Sequence, residues 1–168
     1  LQHQDTEIRT YGQAIWDNRA YLTHAINIPD SYGFIIEACA KIPASEIHPR
    51  AVSIFQNLTS PLLQKIHCDW EKAVAFCLEL PTSEIVKRAE AFKEKVNIIF
   101  TNMNEDVEDR GWWDFSDRVE IIVACLKLSA EQIRALPNKF FEYETSPFKI
   151  TKFLEECKPL TPAQIAAL

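Results

Sequence analysis

The sequence predicts an all-α fold of stacked antiparallel helical hairpins, either an irregular α-solenoid-like array or a helical bundle. Three observations predict it. Glycine occurs only three times in 168 residues, and hairpins and tight βα turns consume glycine, so a sheet has little to turn on. Long stretches space their apolar residues three and four apart, the helical period. Finally, one local frame recurs as IIEACAKIPASEI, AVAFCLELPTSEI, IIVACLKLSAEQI and FLEECKPLTPAQI.

In each copy of the frame a Leu or Ile falls three residues after a Cys, a Pro, Ser or Thr follows it, and an Ile falls eight residues after the Cys. The positions are Cys39, Ile42 and Ile47; Cys77, Leu80 and Ile85; Cys125, Leu128 and Ile133; Cys157, Leu160 and Ile165. A given Cys meets both conditions by chance roughly once in fifty, so four of five cysteines doing so marks an internal repeat. Each frame reads as a junction. The Cys closes one apolar stripe, the Leu packs beneath the turn, Pro stops the helix, and Ser or Thr caps the next, with Glu in its first turn favoured by the helix dipole.

Taken in order, a first unit over 13–41 contains a degenerate junction, Asn27-Ile28-Pro29-Asp30-Ser31, in which Ala25 takes the place of the Cys. A second hairpin spans 44–79; its closing helix starts at Ser60-Pro61, a cap with Pro at the first helical position, and carries Leu63, Ile66, Trp70, Val74 and Cys77 on one face. The third, 82–127, opens with Ile85, Ala89, Phe92, Val96, Ile99 and Met103, an unbroken stripe, and closes with Val119, Ile122, Val123 and Leu126. In the fourth, 130–158, Pro137 ends or kinks the first helix, and Ser146-Pro147 starts a second bearing Ile150, Phe153, Leu154 and Cys157. Residues 160–168 begin a further unit, so the chain reads as one helical domain that is a segment of a longer array. The Cys-to-Cys spacings of 38, 48 and 32 are uneven, which implies a shared junction with helices and loops of different length. LTPAQIAAL is similar to the opening of TAL-effector repeats, but the other junctions lack that family's strict period and base-reading dipeptide, and the charge is wrong for DNA.

The chain holds 24 acidic and 18 basic residues, a formal charge of −6, without a Lys/Arg cluster. That balance disfavours nucleic acid, whose affinity comes from neutralised phosphates. No apolar stretch is long enough for membrane insertion. Five cysteines, an odd number without short paired spacings, argue against a disulfide framework and for a reducing, cytoplasmic setting.

The segment Asn104 to Asp117 carries most of the extra length of the third hairpin and joins six carboxylates to Trp112, Trp113 and Phe115. Loop insertions on a rigid scaffold often bind, and Trp is enriched among interface hot spots. Trp112, Trp113, Phe115, Asp109 and Asp114 are therefore expected partner contacts, with packing of both Trp side chains between helices as the competing expectation. Laid over a calcium loop, the same segment puts Arg110 where a ligand oxygen is required. His67-Cys68-Asp69 is the only tight group of ligand types, and neighbours on a helix point about 100° apart, so no metal or cofactor is expected. Phe140 and Tyr143 share a helical face with Ile133 and Leu136 and are expected inside. Phe141 and Phe148 are left over as further partner contacts. Together these features point to a non-catalytic protein-binding or scaffold module that recognises another protein through a basic peptide or helix, in an oligomeric state the residues do not reveal. A helical regulatory or catalytic domain of a larger enzyme, including a host-directed effector, and a spacer or self-association segment are the alternatives.

Overall fold

The computed structural model describes residues 2–23, 32–58, 71–100, 114–144 and 146–168. Every element among them is an α-helix, and no strand occurs. Two compact units are present, Leu1–Val86 and Lys87–Leu168.

The first unit contains α1 (Gln2–Asp17), α2 (Arg19–Thr23), α3 (Tyr32–Ala40), α4 (Ala44–Leu58), α5 (Glu71–Leu78) and the first turn of α6 (Thr82–Phe100). Helix α3 packs chiefly on α5, α4 on α1, α2 and α5, and α1 also on α3. The period set out above decides which faces meet: Ile35, Ala38, Cys39, Ile47, Ala51, Ile54, Val74, Cys77 and Leu78 are buried, and burial of such side chains is the main favourable term in folding. Between α1 and α2 the chain breaks at Asn18. Its buried amide donates to the carbonyl of Ala14 at 2.8 Å, and its Oδ1 meets His48 Nδ1 at 2.6 Å, so both ends of a polar side chain inside the fold are satisfied. Helix α4 contains Pro49 in its second turn, on an exposed face where the missing N–H leaves the Ser45 carbonyl open to water.

The second unit contains the rest of α6, α7 (Asp114–Leu126), α8 (Ala130–Ala135), α9 (Asn138–Tyr143), α10 (Pro147–Cys157) and α11 (Pro162–Ala166). Helix α7 packs on α10, and α8 on α11. The predicted α6 stripe is buried at Ala89, Phe92, Val96 and Ile99; Met103 lies outside the described residues. Val119, Ile122 and Leu126 of α7 are buried with Ile150, Leu154 and Cys157 of α10.

Two details depart from the expected capping and register. Helix α6 already includes Thr82, so its first carbonyl acceptor is Pro81, which receives Glu84 N–H at 2.9 Å and Ile85 N–H at 3.1 Å; neither Thr82 nor Ser83 precedes the helix. Proline serves because that position needs a carbonyl and extended backbone, not an N–H. Helix α8 stops at Ala135, as Pro137 dictates, but a new helix begins at Asn138. The restart resets the helical phase, so Tyr143 is 83% exposed, Phe140 is half-buried, and Phe141 is the residue turned inward at 1%. Phe141 as a partner contact is thus corrected: it is core, edge-on to Phe140 at 5.2 Å and to Phe153 at 6.1 Å between ring centroids.

Candidate protein-docking site

The four frames occupy helix junctions of one pattern. Helices end at Ala40, Leu78, Leu126 and Cys157, and the next begins five residues after each Cys, at Ala44, Thr82, Ala130 and Pro162. At every junction the Leu or Ile three residues after the Cys donates its N–H to the Cys carbonyl: Ile42 at 3.3 Å, and Leu80, Leu128 and Leu160 each at 3.0 Å. The four thiols and the four isoleucines eight residues later are buried; Ile42 and Leu128 are buried as well, while Leu80 and Leu160 are partly covered. All four cysteines are free, and burial pushes the Cys39 thiol up to about 11 and raises those of Cys125 and Cys157 too. They act as small apolar side chains at the hinge.

What closes the carbonyl ends of these helices is a second regularity. Helices commonly finish with a glycine in the left-handed region, but no described residue here has a positive φ. Side chains from helices earlier in the chain take the place of that cap. Tyr11 Oη donates to the carbonyl of Ile42 at 2.9 Å. Arg50, eleven residues after Cys39, donates from Nη1 to Leu78 at 2.8 Å; Arg88, eleven after Cys77, does the same to Leu126 at 2.9 Å. Gln132 donates from Nε2 to the carbonyls of Cys157, Lys158 and Leu160 at 3.3, 3.1 and 2.7 Å, and Lys95 Nζ reaches Leu136 at 2.9 Å and Asn138 Oδ1 at 2.8 Å. A cation at a helix C-terminus also meets the negative end of the dipole. Lys41 and Glu79, each two residues after its Cys, add an exposed ion pair at 2.7 Å.

Two grooves remain. In the first unit, α1 and α3 flank a cleft of about 900 Å³ whose lining includes Ile8, Tyr11, Ile15, Trp16 and Ile36. Ile8, Trp16 and Ile36 are 68, 62 and 50% exposed, and Phe34 on α3 is 49% exposed. Glycine at position 12 leaves open space where a side chain would stand. The Arg19 guanidinium sits 4.2 Å from the Trp16 ring centroid and donates to the Trp16 carbonyl at 2.7 Å, which fixes the indole at one end of the cleft. Glu7 also lines it. The second unit holds a cleft of about 770 Å³ bordered by Leu136, Phe140, Tyr143, Phe153 and Leu168, with Phe140 stacked on Phe153 at 4.0 Å.

Of the expected partner contacts, Phe148 is 78% exposed. Asp114 and Phe115 are the first two residues of α7, so the helix starts inside the segment read as a loop. Trp112, Trp113 and Asp109 lie outside the described residues, as do His67, Cys68 and the degenerate junction at Asn27. Among the described residues no three His, Cys, Asp or Glu side chains are grouped to hold a metal, and no helix is long and apolar enough to cross a membrane. Sequence reasoning did not place Trp16 in a cleft. The signal was the sparse apolar pattern of α1: Ile8, Tyr11, Ile15 and Trp16 form a stripe at helical spacing, yet no cap or junction frame marks what covers it.

In comparisons with protein-family models, with curated proteins and with solved structures, the chain has no significant match.

Proposed function

We propose that the chain is a non-catalytic protein-binding module of stacked helical hairpins, in which the α1–α3 cleft receives an amphipathic helix of a partner. The observation that carries this reading is the group of exposed apolar side chains around that cleft: Ile8 and Trp16 on α1, whose described residues are half-buried at most, and Ile36 on α3, opposite the face buried at Ile35, Ala38 and Cys39. A contiguous apolar surface rimmed by charge is the usual mark of a docking groove, and helix-in-groove recognition reads apolar anchors at helical spacing. Trp16, held by Arg19, is a rigid anchor of the kind that dominates interface energetics. Residues 1–86 hold ten acidic and six basic side chains, which favours a partner helix with basic flanks.

Selection of helical peptides from a displayed amphipathic library against the full chain tests the reading. Selected peptides are expected to bind wild type and to lose at least about tenfold in affinity, about 1.4 kcal/mol, on Trp16→Ala or Ile36→Asp, with helicity of the protein unchanged. Binders indifferent to both substitutions would place recognition elsewhere.

A further inference from the structure

Gly12 is the one residue of α1 for which the packing of the chain itself gives no reason. A glycine in the interior of a helix is destabilising relative to alanine, and a Cβ added at position 12 would meet nothing within 4 Å. Gly33, the other described glycine, stands in the first turn of α3, outside a helix interior. A glycine in mid-helix under open space is accounted for when a second backbone crosses closely there.

The side chains on either side of Gly12 are ordered in two rows along the cleft. Glu7, Tyr11, Ile15 and Arg19 form one row, and Ile8, Gly12 and Trp16 the other, each at the four-residue spacing of a helix ridge. Both rows are complementary to their own reversal. Turned about its middle, the first sets Glu7 against Arg19 and Tyr11 against Ile15; the second sets Ile8 against Trp16 and leaves Gly12 on itself. A two-fold axis between antiparallel helices performs this reversal, and it places each row against the same row of the other copy. Run parallel, the same helices would bring Glu7 to Glu7 and Arg19 to Arg19, with like charges opposed.

We infer that α1 pairs antiparallel with α1 of a second copy of this chain across a two-fold axis at Gly12, each copy filling the other's α1–α3 cleft. The inference rests on the reading of that cleft as a docking groove and names its occupant when no partner is present. Ile8 and Trp16 then cover each other, and the Arg19 guanidinium, held against the Trp16 ring, meets Glu7 of the second copy. These rim ion pairs fix direction more than affinity. From Gln2 to Arg19 the chain has three acidic and two basic side chains, so α1 lacks the basic flanks that the acidic first unit favours. A partner helix that has them displaces α1, and self-pairing keeps the groove closed until such a helix arrives.

Sedimentation velocity of the full chain up to about 1 mM is expected to show a reversible dimer. Glu7→Arg and Arg19→Glu should each weaken it at least about tenfold. An equimolar mixture of the two variants should restore it, because both rim contacts of the mixed pair again join opposite charges; restoration also shows that both variants are folded. Gly12→Ala is expected to raise the melting temperature of the dilute monomer, since alanine is the better helix former, while weakening the dimer at least about tenfold. The inference is overturned if the chain stays monomeric to about 1 mM, if the mixture stays monomeric, or if a dimer forms that none of these substitutions weakens. A monomeric chain whose selected peptides still need Trp16 and Ile36 overturns self-pairing alone and leaves the groove to a partner's helix. A dimer that responds as expected, with no such peptide in the library, supports the pairing and overturns the partner groove.

Discussion

Phe141 and Phe148 show at the scale of a single residue how one phase decides a role. Both are aromatic, and they stand seven residues apart, yet one is 1% and the other 78% exposed. Phe141→Ala is expected to lower unfolding free energy by about 3–5 kcal/mol through the lost burial and the cavity left behind, whereas Phe148→Ala shifts it by less than about 0.5 kcal/mol; urea titration followed by circular dichroism separates the two. The thiols allow a second check. In a Cys68→Ser background, Cys39, Cys77, Cys125 and Cys157 are expected to resist Ellman's reagent at mildly alkaline pH until denaturant is added, since burial disfavours the thiolate. Rapid labelling of the native protein would contradict their place at the hinge.

Junctions were the most legible elements because their chemistry is local: a Pro or a Ser-x-x-Gln pattern writes a helix start within four residues. Ser129→Ala is expected to cost about 1 kcal/mol, the ordinary value for such a cap, measured in the same titration. The restart after Pro137 was not legible, since a proline signals a stop without saying how soon the next helix begins or with which face. Nor were the long-range caps. Nothing in the neighbourhood of Arg50 or Arg88 announces a carbonyl 28 or 38 residues away. Their shared position eleven residues after a Cys becomes visible only once the junctions are aligned. Arg50→Met keeps much of the aliphatic packing and removes the charged donor; with Arg50 12% exposed, the expected destabilisation is about 1–3 kcal/mol, and Arg88→Met should fall in the same range.

For the whole molecule, charge is distributed as unevenly as structure. The Asn104–Asp117 segment alone contributes six acids, so the helices of the second unit are, by sequence, more basic than the chain's net charge suggests. Acid sensitivity follows from particular pairs. The Lys158 ammonium, and with it Lys127 at 3.6 Å, holds the Glu155 carboxyl below its ordinary value. A carboxyl depressed in the fold stabilises above its unfolded pKa, and the contribution is lost as pH falls through the folded value. The thermal midpoint is thus expected to fall on acidification below about pH 4.5, and Glu155→Gln should flatten part of that fall. The candidate site was less legible than the fold. A groove is made by what fails to pack against α1 and α3, and an uncovered stripe looks the same in sequence as a covered one.

Because side chains from elsewhere in the chain bond the last carbonyls of these helices, local residues alone do not close their ends. The closing helix α5 or α7 taken without its preceding partner would fray at its carboxyl end, and hydrogen exchange should find the last turns of α5 and α7 opening together with α4 and α6, whose arginines reach them. The two helices of each such pair are thereby obliged to fold in concert, a form of cooperativity set by side-chain length and not by buried area.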